Sequence, residues 1–253
     1  MMTFKDLHHQ DQPLLLANIW DVPGAQLAEE MGFRAIGTSS AAIAKMLGYR
    51  DGEDISFAEM EYIVKRIAAN CDLPITVDME SGYSRDPSAI VSYINRLIEC
   101  GVSGINLEDS IVDHDRNLQE ANSFAYQLSY ITKTIHRQFP DFFFNVRTDT
   151  FLLDIVNKVP ETRKRIKLYE EAGANGIFIP CLTDCATIME LVESTSLPLN
   201  VMCMPDLPDF EKLKQLGVKR ISMGNFIFEY IQQQLKTVTG NIVSQQSFKP
   251  VFS

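Results

Sequence analysis

Charged side chains follow three strand-like segments at the point where each segment meets a turn. The segments are PITVDME (74–80), GINLEDS (104–110) and FFFNVRTD (142–149), and each is apolar until it ends in charged residues. If these strands are parallel in one sheet, their carboxyl ends form a single rim that carries Asp78, Glu80, Glu108, Asp109, Arg147 and Asp149. Several carboxylates beside one guanidinium can hold a divalent cation and an anionic substrate together, which is typical of an enzyme.

The carboxylates of Asp78 and Glu80 are the first candidates for a metal site. Because they are two residues apart, both side chains lie on the same face of a strand. Two such carboxylates repel each other unless a proton or a cation lies between them. With Glu108 from the next strand they offer only oxygen ligands, which suits Mg²⁺ or Mn²⁺ better than zinc. The alternative is that each acid merely caps the helix that follows it.

Other polar residues at strand ends are candidates for binding the substrate. Arg147 can grip a carboxylate, phosphonate or phosphate in a bidentate manner, although an ion pair with Asp149 is the alternative. Ser39 and Ser40 close the second strand-like run, where hydroxyl and backbone N–H groups can bind an anion. Asn200 ends the seventh run and is a candidate for contact with a substrate oxygen, with a turn role as its alternative.

Two long links interrupt the regular pattern. Residues 40–58 form one, and residues 110–117 (SIVDHDRN) form a polar link without apolar periodicity. Loops of this kind often contact the substrate. His114 and Arg116 are the candidates in the second link for a mobile acid or cation, because histidine titrates near neutral pH. A solvated loop histidine is the alternative for His114.

Strand-like and helical segments alternate along the whole chain. Glycines precede several strands and are predicted to end the helices before them, namely Gly32, Gly101, Gly173 and Gly217. The strand-like runs span 14–20, 35–39, 74–79, 104–109, 142–147, 176–180, 197–202 and 220–224. Eight strand–helix units predict an α/β fold, a closed (β/α)8 TIM-type barrel, as a single domain over 1–253 with a short C-terminal extension from about 240. An open doubly wound sheet is the alternative, but no GxGxxG motif follows any strand.

Composition narrows the possible partners and location. The net charge of −10 disfavours a nucleic-acid or anionic-membrane surface. The first residues lack the layout of a signal peptide, and no apolar run is long enough to span a membrane. The five scattered cysteines are best interpreted as reduced thiols, so we expect a cytoplasmic protein. We also expect it to bind a small anionic substrate.

A series of motifs, in order along the chain, resembles the isocitrate lyase / phosphoenolpyruvate mutase superfamily. The motifs are NIWDVPGAQLAEEMGFRAIGTSS, LGYRDGE, LPITVDMESGY, GINLEDS, NVRTD, PLNVM and GVKRISMG. The resemblance implies an α/β barrel that binds Mg²⁺ and a 2-oxo acid or an enolpyruvate-like substrate. It also implies an oligomer, either a dimer or a tetramer.

Site residues are implied by the same resemblance. Asp78 resembles the direct metal ligand, and the carboxylates that would assist through water are Asp51, Glu80 and Glu108. Ser39 and Ser40 look like the part that holds the substrate carboxylate. The remaining substrate-contacting positions would be Arg147, Asn200 and two pocket walls, Trp20 and Tyr49.

One loop departs from the superfamily pattern. Lyases of the superfamily carry a catalytic cysteine in the loop after the fourth strand, but here that loop reads DSIVDHDRNLQEA. Isocitrate or methylisocitrate cleavage is therefore not expected. Phosphonomutases place a lysine and an asparagine there, and ungapped alignment puts His114 and Arg116 at those positions.

The expected activity is therefore the chemistry that the superfamily shares. We expect a magnesium-dependent enzyme that makes or breaks a C–C or P–C bond through an enolate that the cation stabilises, as in decarboxylation or hydrolysis of oxaloacetate. A phosphonomutase or phosphonopyruvate hydrolase is one alternative. A barrel that binds a metabolite without catalysis is the other.

Overall fold

A closed barrel of eight parallel strands forms the centre of the computed structural model, which describes residues 2–252. Its strands are β1 (Leu14–Ile19), β2 (Ile36–Thr38), β3 (Ile75–Asp78), β4 (Val102–Glu108), β7 (Phe143–Arg147), β8 (Gly176–Phe178), β9 (Leu199–Met202) and β10 (Arg220–Ser222). Each strand pairs with its neighbours in this order, and β10 closes onto β1. The predicted (β/α)8 barrel is confirmed, whereas Met1 and Ser253, the ends of the predicted domain, lie outside the described residues.

Helices cover the outside of the barrel. They are α1 (Val22–Glu30), α2 (Ser40–Leu47), α3 (Phe57–Ala68), α4 (Pro87–Glu99), α5 (Ala121–His136), α6 (Lys158–Glu171), α7 (Cys185–Glu193), α8 (Phe210–Gln215) and α9 (Phe226–Gln245). Short 3₁₀ helices lie at Asp6–His9 and Lys249–Val251. Within residues 2–252, the structure contains no helix of the length and hydropathy that a membrane span requires.

Polar side chains begin several helices just after a barrel strand or loop. The Asp21 carboxylate accepts from the backbone N–H of Gly24, and Ser56 forms a reciprocal capping box with Glu59 at the start of α3. The four predicted helix-ending glycines all adopt positive φ directly after a helix, between 77° and 94°. These local signals determine where the helices begin and end, and the resulting alternation of strands and helices brings the strand ends to one rim.

The two links that interrupt the sequence pattern have secondary structure of their own. Helix α2 occupies the first part of the 40–58 link. The polar 110–117 segment forms an antiparallel hairpin of β5 (Ser110–Asp113) and β6 (Asp115–Leu118) instead of an irregular loop. At the other end of the chain, α9 continues past Gly240 to Gln245, so the predicted extension from about 240 begins as helix.

Candidate active site

A cavity of about 380 Å³ opens at the carboxyl ends of the barrel strands. It is lined by residues that follow or end the strands, namely Asn18, Ser39, Ser40, Ala41, Asp51, Asp78, Asn106, Arg116, Arg147, Leu152, Phe178, Met202, Ser222, Gly224 and Asn225. A larger depression of about 510 Å³ lies at the opposite end of the barrel, and none of the predicted site residues lines it. Because active sites of (β/α)8 barrels form at the carboxyl ends, the polar cavity is the candidate site.

Ser39, Ser40 and Asp78 form one wall of this cavity. The Ser40 hydroxyl donates to Oδ2 of Asp78 over 2.8 Å, and the backbone N–H of Asp78 donates to the Thr38 hydroxyl over 2.9 Å. Ser39 is the N-cap of α2 and accepts from the backbone N–H of Ala42. The amino end of α2 therefore points its N–H groups towards the cavity, which favours an anion there.

Three acids, Asp51, Asp78 and Glu80, form what we call the acidic cluster. Glu80 is only 2% exposed and adopts a φ of 48°, which turns the chain sharply after β3. Its Oε1 accepts from the Tyr83 hydroxyl over 3.4 Å, while its buried Oε2 has no hydrogen-bond partner. Burial raises the pKa of Glu80 to about 9, and the charges of Asp51, Glu108 and Asp78 add to that rise.

Beside it, Glu108, Asp149, Arg116 and Arg147 form what we call the arginine cluster. Arg147 donates from Nε to Asp149 over 2.6 Å, and its Nη1 lies 3.0 Å from Oε2 of Glu108. Arg116 reaches in from β6 and donates from Nη1 to Glu108 and to Asp149. The predicted alternative of an Arg147–Asp149 ion pair is thus present, while the Arg147 guanidinium still lines the cavity.

The two carboxylates of the arginine cluster differ in the direction in which their pKa values are shifted. Glu108 is 2% exposed, and burial raises its pKa to about 7 against the opposing charge of Arg147. For Asp149, burial acts to raise the pKa, but Arg147, together with the Ser110 hydroxyl, holds it below its ordinary value. Asp149 is therefore ionised at neutral pH, whereas Glu108 can hold or release a proton.

The donor set fits a hydrated divalent cation. In the described part of the chain, no three acidic, histidine or cysteine side chains come close enough to ligate one ion directly. Mg²⁺ usually keeps several waters and takes only one or two carboxylates from a protein. The Oε2 of Glu80 has no hydrogen-bond partner, and burial, together with the charges of the neighbouring acids, raises the pKa of this carboxyl, so a cation nearby would favour its ionised form.

Six of the sequence candidates do not line the cavity: Glu80 and Glu108, which are buried within the two clusters, and His114, Trp20, Tyr49 and Asn200. His114 is exposed at the turn of the β5–β6 hairpin, with a φ of 61°. Trp20 packs edge-on against Phe228, and the Tyr49 hydroxyl donates to Glu59 on the exposed side of α3. Asn200 is buried inside the barrel, where its side chain already has protein partners. Its position at the end of a strand-like run, together with the family resemblance, had suggested substrate contact.

Asp109 also lies away from the cavity, although the sequence placed it on the rim. Its carboxylate accepts from Arg165 over 2.9 Å and from the Tyr169 hydroxyl over 2.7 Å. It also accepts from the backbone N–H of Asp149 over 3.0 Å. Asp109 and its neighbour Glu108 point to opposite faces of the chain, so Asp109 anchors β4 to α6 instead of facing the substrate.

Several cavity residues were missed by sequence reasoning, most clearly Asn18 and Asn106. Each lies on an inward-facing position of an otherwise apolar strand. The Asn18 Oδ1 accepts from the backbone N–H groups of Met223 and Gly224, which shapes the loop after β10. A lone amide at alternate spacing in an apolar strand was the signal that could have found both.

The loop before α3 and the β5–β6 hairpin touch at one close approach. A Cβ on Gly52 would lie 2.7 Å from the Val112 side chain, and the φ of Gly52 is +102°. No side chain fits there. The contact brings Asp51 to within 3.5 Å of Arg116, so the acidic and arginine clusters meet at this point.

Comparisons with known proteins agree with the geometry. Residues 4–243 match the family model described as phosphoenolpyruvate phosphomutase. An uncharacterized protein of Mycobacterium tuberculosis is 34% identical over 226 residues, which are 88% of this chain and 82% of that protein. An oxaloacetate decarboxylase of Pseudomonas syringae pv. tomato is 25% identical over 223 residues, 86% of this chain and 75% of the relative.

Solved structures give the same picture. A crystal structure from Burkholderia cenocepacia J2315, described provisionally as a phosphonomutase, superposes with a TM-score of 0.88 at 34% identity. The match covers 94% of this chain and 97% of that one. With the barrel, the rim of acids and the family match in agreement, this chain belongs to the phosphoenolpyruvate phosphomutase family and is an enzyme of that superfamily of lyases and mutases.

Proposed function

We propose that this enzyme is a magnesium-dependent lyase that decarboxylates oxaloacetate or a closely similar small 2-oxo acid. The observation that carries the proposal is the contrast within one cavity wall. Asp51 and Asp78 line the cavity beside Arg116 and Arg147, and the neighbouring Glu80 has a buried oxygen without a hydrogen-bond partner. A relative with the activity of an oxaloacetate decarboxylase, 25% identical over 86% of this chain, supports the choice of substrate.

The acidic cluster supports a role for a cation. The arginine cluster has two guanidinium groups for its two carboxylates, so it contributes little net charge. Asp51 and Asp78 would then repel an anionic substrate. Mg²⁺ (or Mn²⁺), held by Asp78 with Asp51, Glu80 and Glu108 assisting through water, would reverse this local field and act as a Lewis acid.

The protein's own residues would orient the substrate. The amino end of α2, with the hydroxyls of Ser39 and Ser40, is placed to hold one carboxylate. Arg147 and Arg116 face the same cavity and are placed to attract the other carboxylate. In decarboxylation the C3–C4 bond breaks, CO₂ departs, and the electron pair passes into the 2-oxo group as an enolate that takes up one proton at C3.

The β5–β6 hairpin fits a decarboxylase better than a lyase that cleaves larger acids. It carries no cysteine, and its inward residue, Arg116, is bound to Glu108 and Asp149. Loss of CO₂ needs no protein acid at the departing carbon. The missing loop cysteine therefore removes nothing that this reaction uses.

Cleavage of a P–C bond is the second candidate. Two arginines on one cavity wall suit a phosphonate dianion, which binds guanidinium groups in a bidentate manner. The related structure described provisionally as a phosphonomutase is 34% identical to this chain. The substrate would then be phosphonopyruvate, with pyruvate and phosphate as products of hydrolysis.

A paired assay tests both candidates. Purified protein with Mg²⁺ is incubated with oxaloacetate or with phosphonopyruvate, and pyruvate and inorganic phosphate are measured against Mg²⁺ alone. We expect pyruvate from oxaloacetate and a loss of about 10³-fold in Asp78→Asn, since a cation's stabilisation is worth several kcal/mol. Asp141→Asn, at the opposite end of the barrel, is the matched control. Oxaloacetate decay no faster than with Mg²⁺ alone would reject the decarboxylase.

The quaternary structure and location are also proposals. Apolar side chains are exposed along α9, namely Ile227, Tyr230, Ile231 and Leu235, which supports a homodimer or homotetramer. The five free cysteines support a reducing cytoplasm. Light scattering coupled to size-exclusion chromatography would measure the mass, and a monomer at micromolar concentration would contradict the oligomer.

A further inference from the structure

A chain of three amides crosses the barrel interior beneath the cavity. Asn200, Asn145 and Asn106 come from β9, β7 and β4, and all three side chains are buried. The Asn200 Nδ2 donates to the backbone carbonyls of Val201 over 2.6 Å and Arg220 over 3.3 Å. Because a carbonyl can only accept, this end of the chain of amides has a fixed orientation.

The orientation of the Asn200 amide in turn fixes the orientations of Asn145 and Asn106. The Asn200 Oδ1 must accept, and it does so from Nδ2 of Asn145 over 3.0 Å. The same Asn145 nitrogen donates to Oδ1 of Asn106 over 2.9 Å. The oxygen of Asn106 is therefore turned towards the interior of the barrel.

Arg220 fixes the orientation of Asn106 from a second side. It is 1% exposed, and its Nη2 donates to Oδ1 of Asn106 over 3.2 Å. Burial lowers its pKa to about 9, which leaves the guanidinium protonated at neutral pH. A guanidinium has donors only. Turning the Asn106 amide over would place its N–H groups against the donors of both Arg220 and Asn145.

The Nδ2 group of Asn106 is therefore available to donate into the cavity. No hydrogen bond recorded among residues 2–252 uses its Nδ2, and Asn106 lines the cavity beside its strand neighbour Asp78. The cavity floor thus presents the two N–H donors of Asn106 Nδ2, whose direction is fixed by the hydrogen bonds that Asn145 and Arg220 donate to Oδ1 of the same side chain. Donors held in place by the protein stabilise negative charge on oxygen without having to reorganise.

We propose that Asn106 donates from Nδ2 to an oxygen of the bound substrate, and that Arg220 is the positioning residue that keeps Asn106 in this orientation. The substrate class is a small 2-oxo carboxylate whose oxygen gains negative charge during reaction, so this inference rests on the proposed function. It makes Asn106 select for an acceptor atom at that position and disfavour a protonated amino group, which can only donate.

Oxalate is the probe for the test, because it is planar and resembles the enolate of pyruvate. Its affinity for the Mg²⁺-loaded protein is measured by calorimetry. We expect Asn106→Ala to weaken binding about tenfold or more, the effect of losing a hydrogen bond to a charged group. The exposed Asn70→Ala is the matched control and should leave the affinity unchanged.

A double-mutant cycle separates positioning from general structure. Arg220→Met should weaken oxalate binding about tenfold in the native background but less than about twofold when Asn106→Ala is already present. Arg220→Lys, which keeps a donor towards Oδ1, should retain affinity within about threefold of the native protein. If Arg220→Met does not fold, Arg220→Lys and Asn106→Ala still decide the question.

The outcomes are distinguishable. Unchanged oxalate affinity in Asn106→Ala overturns the inference, and equal losses from Arg220→Met in both backgrounds overturn the positioning role. Native protein that binds oxalate but does not decarboxylate oxaloacetate contradicts only the proposed reaction. Native protein that fails to bind oxalate with Mg²⁺ contradicts both.

Discussion

The acidic cluster and the arginine cluster lie side by side on one rim but differ in how their carboxylates are compensated. Glu108 and Asp149 are buried against two arginines, with contacts from both guanidinium groups. Glu80 is as deeply buried as Glu108, yet one of its oxygens has no partner and its pKa rises to about 9. Both carboxylates of the arginine cluster lie against two guanidinium groups, whereas in the acidic cluster only Asp51 reaches an arginine, Arg116 at 3.5 Å.

This difference predicts that substitutions in the two clusters have different consequences. Removing a partner from a compensated buried pair leaves an isolated charge and costs stability. Removing a charge from an uncompensated group relieves repulsion and costs activity instead. Substitutions in the arginine cluster should therefore lower stability more than activity, and substitutions in the acidic cluster should lower activity more than stability.

The largest loss of stability is expected from Arg147→Met. It leaves Glu108 and Asp149 without their main buried partner, which should lower the free energy of unfolding by about 3–5 kcal/mol. Urea denaturation followed by circular dichroism measures the change. The matched control is Arg163→Met, whose exposed pair with Glu190 should contribute less than about 1 kcal/mol. Equal losses in the two variants would mean that the arginine cluster is not compensated as described.

A smaller loss is expected from Arg116→Met. Its guanidinium also reaches Glu108 and Asp149, but it is carried on the β5–β6 hairpin, and Arg147 remains beside both acids. We expect about 2 kcal/mol, in the range for hydrogen bonds to charged groups. Hydrogen exchange of the hairpin amides should speed up at the same time. Unchanged exchange would show that Arg116 does not hold the hairpin in place.

Glu80→Gln should raise the free energy of unfolding at pH 7 by up to about 3 kcal/mol, because the unfolded native chain gains the ionisation of Glu80 that the folded protein suppresses, whereas glutamine ionises in neither state. The pH dependence of its stability should change as well. In EDTA, the unfolded chain ionises Glu80 above its ordinary pKa of 4.5, whereas the folded protein keeps the proton until about 9. The folded state thus binds more protons, and native stability falls as the pH rises between these values.

The variant lacks this contribution, so its stability should fall less steeply from pH 5 to pH 9 than that of the native protein. Urea denaturation at several pH values measures both slopes. The exposed Glu171→Gln serves as control and should keep the native slope. Parallel slopes for Glu80→Gln and the native protein would show that Glu80 is ionised when folded.

The smallest effect is expected from His114→Ala. The imidazole is exposed at the hairpin turn and does not line the cavity, so stability should change by no more than about 0.5 kcal/mol. Turnover of the substrate identified by the paired assay should stay within about twofold. A loss of turnover of tenfold or more would restore His114 as the acid of the second link.

The sequence predicted the parts of this molecule that depend on local pattern. Alternating apolar runs and helix-ending glycines were sufficient for the barrel and its rim, and Asp78, Arg147 and Ser40 fall where strand ends put them. The β5–β6 hairpin was not predicted, because its strands are short and polar. Arg116 and Val112 stabilise it through contacts with distant segments. Such contacts leave no periodic signal.

The interior amides and Arg220 were missed for a related reason. Arg220 begins a strand that otherwise looks apolar, and a charged residue at the start of a strand is usually solvated. Its burial follows from the closure of β10 onto β1, which only the complete barrel determines. Asn200, unlike the other two amides, was a candidate from its place at a strand end and from the family resemblance, but in the structure its side chain lies inside the barrel.

The close approach of Gly52 and Val112 has a consequence for exchanging loops between relatives. The segment before α3 and the hairpin fit each other at a point where Gly52 cannot gain a side chain. A hairpin transplanted from a lyase would have to bring its matching partner segment with it, or the graft would push Asp51 away from the rim. The two segments, although distant along the chain, would therefore have to be exchanged together.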